Sequence, residues 1–379
     1  MPAKKQKAKR TKGAPAALRR LIATKPGKTN NGRPFNWKEL EQVKSGQWRL
    51  ELIPAEVLGL ARPLEVYRKK RGPPFVTPWK NANESAYCPE HWADVKMGEG
   101  ACGLRCRACF LQGTHRIRCN PARHVLYKNT DEIVEAVRRW LKKPNRRSLG
   151  LGIDCSDSLL YEGVTGYAQR IIPMIASADT NPTGCRLILL TKSANVRYLK
   201  GLPTNNVAVT FSLNPESIAD LWEGKFADGL RVTPYIDKRI AASLQAQKMG
   251  FEVRWRVDPV LHPDGWETAY DSFFRDAAER GARPSRITLG TFRMNTAGLL
   301  TFAEKWGMPP MEWLPDKMVK AGQHHHEPDD VRVPIYKRVM QMIGDAWRGT
   351  RHEPIVALCK ETLSARRAVG IKHNNCNCG

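Results

Sequence analysis

From residue 93 onward, short runs rich in β-branched and aliphatic residues alternate with longer stretches whose apolar positions recur every three or four residues. The runs ADVKMG (93–98), LGLGID (149–154), RLILLT (186–191), VAVTFSL (207–213), EVRWRVD (252–258) and RITLGTF (286–292) predict strands. Between them, TDEIVEAVRRWLKK predicts the clearest helix. Asn129 caps it, Glu132 reaches back, and Ile133, Val134, Val137 and Leu141 form one apolar stripe. Further helices are expected near 164–178, 235–249, 266–280 and 296–306. Strands and helices in alternation imply an α/β fold with a parallel sheet and crossover helices, with six strand-helix units as the minimum.

The flanks differ. Residues 1–35 hold eleven Lys/Arg and no acid up to Arg33, interspersed with Pro, Gly, Ala and Asn, and read as a disordered basic tail. Residues 36–92 carry short apolar pieces broken by Pro54, Pro63, Pro73, Pro74 and Pro78, with VYRKKRGPPF as a further basic turn, and read as an N-terminal cap region. The regular pattern fills 93–306. A C-terminal extension, 307–379, is Pro- and Met-rich, then carries QHHHEPDD, one or two helices and a tail ending HNNCNCG.

Charge narrows the partner. The 62 Lys+Arg against 37 Asp+Glu give +25, which favours a polyanion, nucleic acid ahead of an anionic membrane surface. No apolar run approaches the ~18 residues of a membrane span, and the N-terminus lacks the apolar core of a signal peptide, so a cytoplasmic protein is expected. Ten cysteines in such a chain point to metal or redox chemistry rather than to disulfides.

Three of them, Cys102, Cys106 and Cys109, have the spacing C-x3-C-x2-C inside GACGLRCRACFLQG, so a single loop must wrap what they bind. Structural zinc wants four closed ligands, and the fourth would have to come from Cys88, Cys119, His91 or His115. A 4Fe-4S cluster held by three thiolates instead leaves one iron open to a substrate or cofactor. The loop follows the first strand, and in barrel-like β/α folds chemistry gathers at the carboxyl ends of the strands.

The triplet, followed by an aromatic and placed after the first strand, resembles the cluster loop of radical S-adenosylmethionine enzymes. That resemblance implies a partial (β/α)6 TIM-like barrel, a 4Fe-4S cluster on Cys102, Cys106 and Cys109, S-adenosyl-L-methionine as cofactor, and a reducing partner such as flavodoxin or ferredoxin. Within that superfamily the chain is similar to the spore photoproduct lyases over about residues 98–300. The matching pieces are CRACFLQG, CSDS, LLTKS, FSLN, PYIDKRIAASLQAQKMGFEV and PVLHPDGWETAY. The resemblance implies that Lys192 and Ser212 bind the cofactor carboxylate and that Ser156 lines the same site. An ammonium and a hydroxyl at strand ends are ready partners for a carboxylate.

The chain departs from the lyase pattern at the hydrogen donor. Asp154 stands where that pattern has a cysteine, Cys155 comes one residue later, and Ala108 and Phe110 replace tyrosines flanking the last cluster cysteine. A one-residue step along a strand turns a side chain to the opposite face, so Cys155 points away from its expected direction unless a bulge or turn restores it. These departures suggest a scaffold that abstracts hydrogen from a thymine-derived group in DNA and then rearranges a thymine 5-substituent. Such an isomerase belongs to viral DNA hypermodification, in a bacterial or phage-infected cytoplasm. Lyase-type DNA repair and a zinc-containing, non-catalytic nucleic-acid binder are the alternatives.

Other features rank lower. Arg116, Arg118 and Arg123, just past the cysteine loop, are candidate phosphate contacts. His324, His325, His326 and Glu327 read as an exposed loop, Cys376 and Cys378 as an exposed tail, and Cys119, Cys185 and Cys359 as small buried hydrophobes. Trp255, Trp266 and Trp313 fit a core better than a base-stacking platform.

Overall fold

A computed structural model describes residues 41, 44–78, 92–99, 102–104, 106, 107, 109, 111, 124–226, 228–295, 315, 318–321, 324–372 and 377. The basic tail, the expected helix at 296–306, Arg116, Arg118, Arg123, Ala108, Phe110, Cys119, Trp313, Cys376 and Cys378 lie outside these residues.

The centre is an eight-stranded sheet whose order follows the chain: β1 (Val76–Pro78), β2 (Trp92–Val95), β3 (Ser148–Leu151), β4 (Arg186–Thr191), β5 (Val207–Ser212), β6 (Glu252–Val260), β7 (Arg286–Thr291) and β8 (Ile355–Leu358). β1 pairs antiparallel with β2, and every later neighbour pairs parallel. The six predicted strands are β2 to β7. Parallel neighbours require long crossovers, and the helices Thr130–Leu141, Tyr167–Ala176, Glu216–Glu223, Ile236–Lys248 and Trp266–Glu279 fall between them. Asp329–Trp347 precedes β8.

Each strand divides its residues between two faces. Val207, Val209 and Phe211 on β5, and Val253, Trp255 and Val257 on β6, join the main core with the helix residues Ile133, Val137, Ile171, Ile240 and Phe274. The intervening positions, Thr210 and Ser212 on β5 and Arg254, Arg256 and Asp258 on β6, make the polar contacts of the opposite face. Trp255 is core, as expected.

Several expectations need correction. The helix Glu216–Glu223 is only 8 residues long, too short for its periodicity to stand out, and β8 has only the 4 residues IVAL. Asn129 does begin the helix Thr130–Leu141, but its side chain makes no capping bond. It bonds to the main chain of Arg71 in both directions, and its Nδ2 donates to Glu132 Oε2 at 3.0 Å. His324–His326 is not an exposed loop: it is the central strand of a small antiparallel sheet with Arg293–Asn295 and Val319–Ala321. His326 and Glu327 are buried. Cys185 is fully buried, whereas Cys359 is half-buried with Arg256 Nη2 at 3.1 Å from its sulfur.

A second sheet, built from Arg49–Ile53, Leu64–Lys69, His124–Tyr127 and Gly98–Glu99, sits beside the start of the cysteine loop. No described helix is long and apolar enough to cross a membrane.

Candidate active site

The cysteine loop leaves β2 through Gly98–Glu99 and packs on a small apolar cluster of its own. Leu104 and Cys106 are buried there with Ile53, Leu58, Val66, Leu126, Leu160 and Tyr161, and Cys102 and Cys109 lie at its margin. Gly103 is needed: a Cβ would sit 2.0 Å from the Tyr161 hydroxyl. Cys109 N–H donates to the Cys106 carbonyl at 3.1 Å, closing the turn.

Burial pushes all three thiols above their ordinary value, and negative neighbours add to it, Asp157 at Cys102 and Glu223 at Cys106 and Cys109. Lys192 pulls the other way at Cys106 and Cys109, joined by Arg239 at the first and Arg256 at the second. The loop therefore faces cations that would favour thiolates once a metal binds. Among the described residues, Asp94, Asp154 and Cys155 form the group of three whose ligand atoms lie within 4.8 Å of one another; the loop cysteines are not so gathered.

At the carboxyl ends of β4 and β5, Lys192 Nζ donates to Ser212 Oγ at 2.8 Å and to Glu223 Oε1 at 2.7 Å. Glu223 is 1% exposed and also accepts from Arg231, Thr233 and Arg239. Its burial raises the carboxyl's pKa, but Arg239 and Lys192 outweigh that and hold it far below the ordinary range. Asp157 ties the turn after β3 to the end of β4, accepting from Thr191 Oγ1 at 2.7 Å and Lys192 N–H at 2.6 Å. Next to it, Ser156 Oγ is buried and has no hydrogen-bond partner among the described residues. An orphaned hydroxyl beside a lysine and a second serine leaves donors ready for a polar ligand, so these residues fit the expected cofactor.

β3 ends at Leu151, three residues before the expectation, because Gly152 takes φ +67° and a Cβ there would meet Met97 Cε at 2.6 Å. Asp154 and Cys155 therefore lie on a turn, closed by Cys155 N–H to Gly152 O at 3.2 Å, and the opposite-face argument does not apply to them. Both converge on Asp94, which is 1% exposed. Burial raises the Asp94 carboxyl well above its ordinary value, helped by the hydrogen bond and charge of Asp154. Asp154 is lowered in spite of its own burial by hydrogen bonds from Asp94 and Lys96. Lys96 pairs with Asp154, and the two neighbouring carboxyls shift in opposite directions, Asp94 up and Asp154 down. Burial, then the two carboxyls, push the Cys155 thiol up to about 12.

Sequence reasoning singled out Cys102, Cys106, Cys109, Ser156, Lys192 and Ser212, and the structure places them around the carboxyl ends of β2 to β5. It missed Glu223, Asp94 and Lys96, whose partners are distant in sequence. Asp157 lay in plain view in CSDS.

A mainly parallel α/β sheet with a three-cysteine loop after its first parallel strand places this chain in the radical S-adenosylmethionine superfamily. The sequence profile of spore photoproduct lyase matches residues 87–294, more than half of the chain, and the chain belongs to the spore photoproduct lyase family. It is 26% identical over 219 residues to the spore photoproduct lyase of Bacillus subtilis (strain 168), covering 57% of this chain and 60% of that one. It is 24% identical over 188 residues to that of Geobacillus sp. (strain Y412MC61), covering 49% and 51%. The chain thus spans 60% or less of the length of these relatives. Among solved structures, spore photoproduct lyase complexed with dinucleoside spore photoproduct aligns with a TM-score of 0.59 at 18% identity, over 77% of this chain and 81% of that one. A variant of that lyase with bound AdoMet and the dinucleoside aligns with a TM-score of 0.55 at 19% identity, over 69% and 74%. These two alignments establish the shared fold.

Proposed function

We propose that this protein is a radical S-adenosylmethionine enzyme that acts on a thymine-derived lesion in DNA. The observation that carries the reading is the juxtaposition of the three-thiol loop with the Lys192–Ser212 pair and the orphaned Ser156 hydroxyl at neighbouring strand ends. Cys102, Cys106 and Cys109 would hold a 4Fe-4S cluster. Lys192 and Ser212 would hold the cofactor carboxylate, with Glu223 orienting the ammonium. When bound, the cluster supplies the electron for reductive cleavage of S-adenosylmethionine, and with it hydrogen-atom abstraction from the substrate. Cys155, kept as a neutral thiol by burial and the neighbouring acids, has the S–H bond that a hydrogen donor needs.

Similarity to lyases supports lesion reversal ahead of the rearrangement expected from the sequence. Rearrangement is kept as a second reading because Asp154, in the place of the lyase cysteine, is committed to Lys96 and Asp94. The test is anaerobic reconstitution with iron and sulfide, followed by incubation with reductant, cofactor and DNA carrying either spore photoproduct or an amino-acylated thymine. Nucleoside mass analysis should show thymine restored from the photoproduct. A rearranged nucleoside from the second substrate alone would reverse the order, and failure to bind iron would end both readings.

A further inference from the structure

The sheet beside the cysteine loop carries a surface cavity of about 420 Å³ lined by Gly46, Gln47, Trp48, Lys69, Lys70 and Lys128. Its floor is the buried Trp48, with the Lys69 ammonium 5.1 Å from the ring centroid. Lys69 and Lys128 are brought together because their strands run parallel, Lys69 opposite Tyr127, with Lys128 N–H donating to the Lys69 carbonyl at 2.9 Å. Lys70 and Lys128 are exposed, and no ion pair of theirs is found among the described residues. Arg71, next in the chain, lies 5.1 Å from the Tyr127 ring and donates to Pro74 O and the Tyr127 hydroxyl. Around these four cations stand Glu99, which pairs with Lys69, Glu132, which accepts from Asn129, and the exposed Asp131, which pairs with Arg170. The cavity keeps a positive excess and has an aromatic floor.

Its location gives the charge a use. Helix Thr130–Leu141 connects β2 to β3, so it runs back against them, and its start lies on the carboxyl-end side of the sheet. Lys128 stands just before that start. Lys69 reaches Glu99, which lies three residues before Cys102. The lysines of the cavity therefore lie towards the carboxyl ends of the strands, close to the start of the cysteine loop.

We propose that this cavity binds a backbone phosphate of the DNA strand whose thymine enters the candidate active site. Lysine ammoniums on a concave rim bind phosphate as point charges without reading sequence, which suits an enzyme that must accept a lesion in any context. The inference rests on the proposed function for the identity of the strand, and its test reads binding rather than turnover.

The experiment measures binding of a labelled single-stranded oligonucleotide to the reconstituted full-length protein across a salt titration. Wild type is compared with Lys70→Ala/Lys128→Ala and with Lys142→Ala/Lys143→Ala, which removes the same charge at the far end of the same helix. The first variant should bind about tenfold more weakly, with a log–log salt slope smaller by about 0.7, the value for one lost phosphate on a single strand. The second should match wild type, and cofactor cleavage without DNA should be the same in all three. Equal losses in both variants, or none in either, would overturn the site. If the first variant alone loses binding while wild type processes no thymine derivative, the cavity stands and the proposed function falls.

Discussion

Lys192 Nζ donates to Glu223 Oε1 at 2.7 Å, and the carbonyl of the same glutamate accepts from Arg107 N–H, within the cysteine loop, at 2.9 Å. One residue at a helix end thus holds the loop through its main chain and the candidate cofactor ligand through its side chain. Gly224 makes the approach possible: it has φ +84°, and a Cβ there would come within 3.3 Å of Arg107 Cβ. The cysteine loop and the candidate cofactor ligand are joined through Glu223.

Replacing Lys192 with Met should therefore separate the two. The loop keeps its main-chain bond and Glu223 keeps Arg231 and Arg239, so iron content after reconstitution should match wild type. Cofactor affinity should fall about 10- to 100-fold, the worth of one hydrogen bond to a charged group. Equilibrium binding of S-adenosylmethionine checks this, and unchanged affinity would remove Lys192 from the site.

Glu223→Ala is expected to act on the fold itself. It strands the guanidinium of Arg239, which is 0% exposed and keeps only the main-chain acceptors Pro234 O and Ser212 O, whereas Arg231 keeps Glu216. Breaking a buried pair on one side costs about 3–5 kcal/mol. Urea unfolding at neutral pH measures it. The pH dependence follows from the sign of the shift: the folded carboxyl titrates below its ordinary 4.5, so its contribution is complete above that value and is lost as pH falls towards the folded value. Wild-type stability should drop steeply below about pH 4.5, and the variant's curve should be flatter there.

Acid sensitivity has a second source at Asp258. Burial raises this carboxyl, yet Arg293 and Arg256 together bring it down to about 2, from 3.8. Its contribution is present above pH 3.8 and disappears between there and about pH 2. Asp258→Asn should remove that part of the slope in an acid titration followed by circular dichroism, leaving the Glu223 part unchanged.

The strands and the thiol loop were legible because their signals are local: a β-rich run such as RLILLT, or three cysteines within one turn of chain. Glu223 was not, since its meaning comes from Lys192 and Arg239, 31 and 16 residues away, and an acid near the end of a short amphipathic helix is otherwise unremarked. The direction of Cys155 depends on whether the chain turns before it. LGLGID looks like one strand, but Gly152 turns the chain at its fourth residue and brings Asp154 and Cys155 to the same acid. Nor does local pattern reveal that Asn377, in a polar tail, is 2% exposed against β5 and β6.

Cys155 should behave as an unreactive thiol. With its titration near 12 rather than 9.0, its thiolate fraction at pH 8 is about a thousandfold below that of an ordinary cysteine. Alkylation by iodoacetamide, followed by peptide mass analysis, should leave Cys155 unmodified while unfolded controls react fully. Asp94→Asn keeps the thiol buried and should change this little, since burial is the largest cause of its shift. Asp154→Asn removes the Lys96 partner and should cost stability as well.

Asn377 provides the last test. Its side chain exchanges hydrogen bonds with Thr210 at 3.2 Å, and its carbonyl accepts from Arg254, which is 0% exposed. Thr210 precedes Ser212 by two positions on the same face of β5, so the tail residue sits about 7 Å, one side-chain layer, below the candidate cofactor site. Deleting residues 373–379 removes both contacts and leaves buried polar groups to find new partners, at about 1–3 kcal/mol. Asn377→Ala keeps the carbonyl on Arg254 and loses only the Thr210 bond, about 1 kcal/mol. Thermal melts should rank wild type above Asn377→Ala and Asn377→Ala above the deletion. A deletion as stable as wild type would show that the tail contributes nothing to the stability of the fold.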